Sequence, residues 1–263
     1  MTKSPQLGLG ANRPWAAARS VSLLGLLCLP LAWPPPALAE DAAPTYPNMA
    51  PIAQYQYSDR AAEIAAARSA APRPIADKAT VLTLGRTGYE TAVQGSNGFV
   101  CFVERSWAND FDKPQFWNPK LRMPQCWNAA AAGSSLLSDY LTRTEWVLAG
   151  VSKDEMLART RAKVMSHEIV AAPGSMAYML SKEQLISDPT PPAPVHWYPH
   201  VMFFVPATDG SPWGANVPGA QLFSATSTVE PVTTYFLVVP KWSDGTLGPY
   251  VPESSKGGEH HHG

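Results

Sequence analysis

Charged residues are scarce in this chain of 263 residues: they make up 16 % of it, and the formal net charge is −1. Binding to a nucleic-acid backbone needs a surplus of positive charge, so the near balance of 20 Lys and Arg against 21 Asp and Glu argues against a nucleic-acid partner. Glycine-rich phosphate loops and nucleophile-elbow motifs are also missing. The 45 % of hydrophobic residues still predicts a buried core and excludes a wholly disordered chain.

Long apolar runs are missing except near the start of the chain. Residues 1–39 contain three basic side chains and no acidic one, then an apolar run over 21–33, then the small-residue sequence Ala37-Leu38-Ala39. This order is typical of a secretory signal peptide, and we expect cleavage after Ala39. The apolar run is shorter than the roughly 20 residues that a membrane-spanning helix needs. The sequence therefore predicts a secreted or periplasmic protein with no transmembrane anchor in its mature form.

Cysteine is rare, with three in the chain. Cys28 lies in the predicted signal peptide, so the mature protein would keep the pair Cys101 and Cys126. An even pair in an oxidising compartment predicts a disulfide. The alternative makes Cys101 a nucleophile with a downstream histidine as its base, in the order of papain-like hydrolases.

The mature chain is predicted to be a single α+β domain over residues 58–250, between an extended surface leader at 40–57 and a flexible tail at 251–263. That tail carries a run of histidines at 260–262, to which we assign no structural role. Strong helix formers, capping residues and helical spacing of apolar residues predict about three helices, at 58–71, 134–149 and 152–165.

Strand-like runs separated by glycine-rich turns predict a β-meander near the start of this domain. Its strands would be 79–84, 89–93 and 99–104, and further strands are predicted at 176–180, 200–205, 220–225 and 233–239. Hairpin turns cannot supply parallel crossovers, so we expect a mainly antiparallel sheet. Between the two groups of strands, the segment from Trp107 to Trp127 is rich in Asn, Asp and Pro and is predicted to be a long ordered loop.

The segment His196-Trp197-Tyr198-Pro199-His200 contains two histidines four residues apart. On a helix this spacing suits zinc, but Pro199 disfavours a helix, and in a straight strand the two α-carbons would be about 13 Å apart. No cofactor is therefore predicted, although zinc held by His196 and His200 stays open, with Glu104 or Asp209 as a third ligand that only the fold could supply. The other interpretations are that these histidines line a ligand pocket or are hydrogen-bonded at the start of a strand.

Aromatic residues are concentrated in the predicted loop, where Trp107, Trp117 and Trp127 are the candidates for ligand binding. Ring faces stack on the apolar surfaces of sugars and other small molecules, so the sequence is compatible with a small-molecule or carbohydrate ligand. The alternative is ordinary packing under a long loop.

Strand alternation at 99–104 places Cys101 and Glu104 on opposite faces of the predicted sheet. Glu104 and Arg105 could act together in catalysis, or they could form a structural ion pair.

Several strings resemble those of a group of uncharacterised exported bacterial proteins: 85–93, 97–107 and 196–204, together with Trp213-Gly214-Ala215-Asn216. The resemblance covers most of the mature chain. It implies a bacterial envelope setting, and it implies no activity, cofactor or site residue.

Together these features predict a binding or envelope-associated module whose pocket is lined by aromatic residues and histidines. The alternative is a hydrolase, which would depend on a metal at His196 and His200 or on Cys101 as a nucleophile. Whether the chain is an enzyme stays open at the level of sequence.

Overall fold

The computed structural model describes residues 46–186 and 198–249. The predicted signal peptide, the first residues of the leader, His196 and the histidine run of the tail lie outside these residues. The described residues all belong to one unit of the chain, spanning 41–263. Within the described ranges, no helix is both long enough and apolar enough to span a bilayer.

The sheet has eight strands in the order β2-β1-β3-β4-β5-β6-β8-β7. The strands are β1 (Thr80–Leu84), β2 (Tyr89–Val93), β3 (Val100–Glu104), β4 (Met123–Trp127), β5 (Met176–Met179), β6 (His200–Pro206), β7 (Leu222–Thr226) and β8 (Val232–Val238). Neighbouring strands are antiparallel except β1 and β3, which run parallel. The α+β class and the mainly antiparallel sheet agree with the prediction. The sheet has one strand more than the seven predicted.

The helices of the described chain are α1 (Arg60–Arg68), α2 (Arg73–Ala76), α3 (Ala129–Ala132), α4 (Ser135–Leu148) and α5 (Lys153–Met165). The three predicted helices correspond to α1, α4 and α5, and the two others are single turns. Each of the longer helices begins with a side-chain N-cap. A side-chain oxygen of the cap residue accepts a hydrogen bond from a backbone N–H of the first turn, and the cap residues are Asp59, Ser134 and Ser152.

The sheet lies between two helical layers. On one face, the alanines of α1 pack against Val81, Cys101 and Val103. On the other face, which we call the cavity face, Leu137 and Tyr140 of α4 belong to the same buried cluster as the aromatic side chains of β3 and β4. Because strand residues alternate between the two faces, each strand contributes to both cores.

The predicted β-meander is wrong in its order, because β3 pairs with β1 and not with β2. The connection after β2 folds back over the start of β1: the Gly95 N–H bonds to the Thr80 hydroxyl at 3.0 Å and the Ser96 N–H to the Lys78 carbonyl at 2.8 Å. A Cβ at Gly95 would lie 2.1 Å from the Thr80 nitrogen. Glycine is therefore required for this close crossing, which carries β3 past β2 into the parallel position.

The predicted loop from Trp107 to Trp127 is also partly wrong, because its last five residues form β4 near the middle of the sheet. Pro124 argued against a strand, since proline cannot donate to a ladder. It lies opposite Val103, two residues from the pair Cys101 and Cys126, whose Cα atoms are 4.0 Å apart. That distance is typical of a non-hydrogen-bonded antiparallel pair, and so the Pro124 pair is of the same type and needs no donor.

The structure joins Cys101 and Cys126 by a disulfide, which confirms the predicted pair. The two residues face each other across β3 and β4, and both side chains are completely buried. Helix α1 covers the bond closely, with the Cys126 sulfur 3.7 Å from the Ala67 carbonyl oxygen. The small alanine side chains of α1 permit this approach of helix to sheet.

A buried ion pair fills the gap where the parallel strands β1 and β3 separate. Arg105, fully buried, donates to a Glu63 carboxylate oxygen at 2.7 Å, and the same oxygen accepts the Leu84 N–H at 3.1 Å. Arg105 also donates to the carbonyl oxygens of Tyr55 and Val103. The ion pair thus binds backbone groups in the region where β1 and β3 no longer pair, and it satisfies polar groups that are costly to bury without partners.

The predicted surface leader is anchored where the structure describes it. Tyr55 is completely buried, packs on Trp107 at a ring distance of 5.1 Å, and donates its hydroxyl proton to the Trp117 carbonyl at 2.8 Å. A short 3-10 helix, Ile52–Gln54, precedes it. The leader therefore differs from the expectation, because one aromatic side chain holds it against the loop after β3.

Removing the disulfide should weaken the fold. Replacing both cysteines, Cys101→Ala with Cys126→Ala, should lower the free energy of unfolding by about 3–4 kcal/mol, the chain-entropy value for a loop of 25 residues. Urea unfolding of the oxidised protein and of this double variant measures the difference. Equal stability of the two proteins would contradict the structural role of the bond.

Breaking the buried ion pair should also be strongly destabilising. Glu63→Gln leaves the Arg105 guanidinium buried without a counter-charge, and we expect a loss of about 3–5 kcal/mol in urea unfolding. The matched control is Glu155→Gln, which removes the exposed pair with Arg159 and should cost less than about 1 kcal/mol. Similar losses for the two variants would show that burial of the pair is unimportant.

Candidate functional site

A cavity of about 350 Å³ opens on the cavity face of the sheet, beneath α4. Its floor comes from β3, β4, β6, β7 and β8, and one wall comes from α4. The loop after β3 and the turn between β7 and β8 complete the rim. The cavity lining includes four aromatic side chains and two charged or titratable ones: Trp127, Tyr140, Phe204, Phe236, Glu104 and Arg143.

Aromatic and apolar side chains form most of the floor because strand alternation directs them to one face. Trp127 of β4 packs against Phe204 of β6 with a ring distance of 4.9 Å, and Phe102 packs against Trp127 at 5.7 Å. Phe236 lies opposite Met202 in the β6–β8 ladder. The result is an extended ring-lined surface that can cover the apolar side of a small molecule.

Glu104 is a buried carboxyl group on this mostly aromatic and apolar floor. It accepts a hydrogen bond from the Gln125 side-chain amide, and the Gln125 carbonyl oxygen in turn accepts the Trp127 indole N–H at 2.7 Å. Burial raises the pKa of Glu104 to about 8, against the opposing influence of the Arg143 charge and the Gln125 hydrogen bond. Near neutral pH the carboxyl group is therefore mostly protonated in the empty cavity.

The rim contains a network of ion pairs centred on Arg143. Its guanidinium pairs with Glu230 of the β7–β8 turn and with Asp139 one helical turn earlier, at 3.5 Å. Lys163 of α5 pairs with the other oxygen of Asp139 at 2.8 Å. The network fastens the turn to both helices.

The carboxylate of Glu230 is held in its ionised form. Burial by itself would raise the pKa of Glu230, but the Arg143 charge and the Ser227 hydroxyl together lower it below the ordinary value. The Ser227 hydroxyl also lies 2.7 Å from an Asp110 oxygen, so one serine links both acidic side chains. These carboxylates therefore already have polar partners within the protein.

The three predicted tryptophans are separated by the structure. Trp127 lines the cavity. Trp107 is completely buried, and its indole N–H donates to the Thr144 hydroxyl of α4 at 2.9 Å. Trp117 is buried against Phe116 with a ring distance of 4.6 Å and borders a different depression, beside the start of α5. Two of the three therefore pack in the core and one faces the cavity.

His200 begins β6 on the same face as the cavity but does not line it. Its ring is buried, its Nδ1 lies 2.8 Å from the Tyr198 carbonyl oxygen, and it packs on Phe236 at 5.7 Å. Burial lowers the pKa of His200, and the hydrogen bond to Tyr198 only partly opposes this. His196 lies outside the described residues. Within 46–186 and 198–249, no group of three or more His, Cys, Asp or Glu side chains is placed to hold a metal ion.

Cys101 and Arg105 lie apart from this cavity. The sulfur of Cys101 is bonded to Cys126 beneath α1, on the face opposite His200. Arg105 turns away from Glu104 and pairs with Glu63. Glu104 and Arg105, although neighbours in sequence, therefore occupy separate environments.

Sequence reasoning identified Glu104 as a candidate but missed most of the rim. Asp139 and Arg143 have a local signal, because residues four apart share one face of α4. Asp110 and Glu230 have no such signal, since they meet only when the loop after β3 reaches the β7–β8 turn. Proximity of residues more than a hundred positions apart is a property of the fold.

The raised pKa of Glu104 should make stability depend on pH. Between its ordinary value of 4.5 and about 8, the folded protein keeps a proton that the unfolded chain releases, so stability falls as the pH rises through this window. The contribution is about 1.4 kcal/mol for each pH unit. Glu104→Gln should remove it, whereas Glu145→Gln, on the exposed side of α4, should not. Urea unfolding at pH 5, 6, 7 and 8 measures the slopes, and parallel slopes for wild type and Glu104→Gln would contradict the assignment.

Comparison with known proteins assigns no family or function to the chain. The chain gives no match to a protein-family model, to a curated protein or to a solved structure.

Proposed function

We propose that the protein is an exported binding module, secreted or periplasmic, that takes a small molecule into the cavity beneath α4. The observation that carries the proposal is the cavity itself: about 350 Å³, with a ring-lined floor and a few polar groups at one end. This combination is typical of ligand sites, where apolar walls supply contact area and polar groups orient the ligand.

Export is supported by the signal-like residues 1–39 and by the disulfide. Disulfides persist in the periplasm and outside the cell but are rare in the reducing cytosol. The bond joins two strands near the centre of the sheet, and its reduction would remove a constraint on the unfolded chain and so lower the stability of the fold. The resemblance to exported bacterial proteins is in keeping with an envelope setting.

Binding is favoured over hydrolysis by the state of the polar groups. Acid–base hydrolysis needs one carboxyl to donate a proton and a second group to accept one or to attack. Glu104 suits the first role, but Glu230 is engaged by Arg143 and Ser227, and Asp139 is engaged by Arg143 and Lys163. Cys101 is held in the disulfide and has no free thiol to act as a nucleophile.

Filling the cavity should abolish ligand binding. Thr234 of β8 lines the floor, and the ring of Thr234→Trp should extend from β8 into the cavity. Saturation-transfer NMR with a panel of small amines, aromatic acids, alcohols and monosaccharides should find ligands that bind the wild type and not this variant. The matched control, Thr91→Trp, places the same ring at an exposed position of β2 and should bind as the wild type does.

Ala225→Trp at the cavity rim is a second blocking variant, for use if Thr234→Trp does not fold by circular dichroism. Ligands that bind both blocking variants as well as the wild type would place the binding surface elsewhere. A panel without any ligand for the wild type would count against a small-molecule function.

A further inference from the structure

We propose that the ligand is an organic cation: an ammonium group carried by an apolar, preferably aromatic, body. The nitrogen would lie against the Glu104 carboxylate, and the body would lie on the rings of the cavity floor. The inference rests on the proposed binding function and adds the chemical class of the ligand.

Glu104 differs from the other acidic side chains of the cavity in its surroundings. Within the described chain it forms no ion pair, and its side chain accepts a single hydrogen bond, from the neutral amide of Gln125. Asp139 and Glu230, in contrast, each bind a cationic side chain. A buried carboxylate without an ion-pair partner is costly, so Glu104 keeps its proton, and a positively charged ligand would supply the missing partner for the ionised form.

The rings around Glu104 suit the same ligand. Trp127 is linked to Glu104 through Gln125, and Tyr140 of α4 forms the opposite wall. The π-faces of aromatic side chains attract ammonium groups, and the attraction is strongest in sites that exclude water. The same rings would cover an apolar body, so one surface serves both parts of the proposed ligand.

The charges lining the cavity also disfavour an anion. Four carboxyl groups face it or form its rim, against two cationic side chains: Glu104, Asp110, Asp139 and Glu230 against Lys113 and Arg143. Arg143 is committed to Asp139 and Glu230 and packs over the Phe111 ring at 4.7 Å. Lys113 lies at the exposed rim. Even with Glu104 protonated, three carboxylates remain and Arg143 already pairs with two of them, so the lining offers little positive charge to an entering anion.

Binding of the cation should displace a proton from Glu104. The groups that influence Glu104 electrostatically are Arg143, Tyr89 and Tyr140; burial raises the pKa of both tyrosines, which therefore stay neutral. Since burial also raises the pKa of Glu104 to about 8, the empty site holds the proton at pH 6. When the ammonium binds, the carboxyl O–H bond breaks, the proton passes to the buffer, and the carboxylate pairs with the ligand.

The test compares three probes with the same phenyl body: 2-phenylethylamine, 2-phenylethanol and 3-phenylpropanoate. Isothermal titration calorimetry of the purified protein at pH 8 should rank the amine first, about tenfold or more tighter than the alcohol, with the carboxylate weakest. From pH 6 to pH 8 the amine affinity should rise by about tenfold or more, because the carboxylate form becomes populated. At pH 6, titrations in buffers of different ionisation enthalpy should show release of about one proton.

Glu104→Gln is the decisive variant, because the amide has the shape of the protonated carboxyl but cannot ionise. It should weaken amine binding about ten- to a hundredfold and remove its pH dependence, and it should affect alcohol binding far less, so that the preference for the amine over the alcohol is lost. Glu145→Gln is the matched control on α4 and should behave as the wild type does. Thermal unfolding of both variants shows whether the site is intact.

Equal affinity for amine and alcohol, or preference for the carboxylate, would overturn the cationic class while leaving a binding cavity in place. The same holds if none of the three probes binds but other molecules enter the cavity and are excluded by Thr234→Trp. If no molecule shows binding that Thr234→Trp blocks, both the ligand class and the binding function fail.

Discussion

The antiparallel ladder of β3 and β4 carries both the core of the protein and its candidate site. Cys101 and Cys126 face each other across this ladder and form a disulfide beneath α1. One residue further along β3 and one residue back along β4, the side chains point the other way, and Phe102 lies opposite Gln125 on the cavity face. Because strand residues alternate strictly, a cross-link on one face fixes the register of the polar and aromatic groups on the other. A slip of one residue would place Glu104 under α1 and the cysteines on the cavity face.

The protein buries its titratable side chains in two ways, either as ion pairs or as a protonated, neutral carboxyl group. Glu63 and Arg105 neutralise each other and bind the backbone groups left unpaired between β1 and β3, which makes the pair part of the architecture. Arg143, Asp139 and Glu230 do the same at the rim. Glu104 instead stays neutral by holding a proton, because burial outweighs the influence of Arg143. A group that is neutral only while it keeps its proton can respond to a charged ligand.

Local signals were sufficient for most of the regular elements but not for strand β4. Side-chain caps and helix formers marked α1, α4 and α5, and seven of the eight strands of the described sheet lie close to their predicted positions. Strand β4 was missed because Pro124 removes a donor, a cost that vanishes at a non-hydrogen-bonded position. The order of β1, β2 and β3 was missed because the crossing at Gly95 depends on contact with Thr80 rather than on the turn residues themselves.

The sequence by itself determined the signal-like start, the pairing of two cysteines, the α+β class and the opposite facing of Cys101 and Glu104, since each follows from composition or from short-range periodicity. Only the tertiary structure decided which tryptophan faces the cavity, that Arg105 turns to Glu63, and that Asp110, Arg143 and Glu230 meet at one rim. The physical reason is distance along the chain. These contacts join residues from 42 to 117 positions apart, which leave no local pattern and meet only after the sheet has brought their elements together.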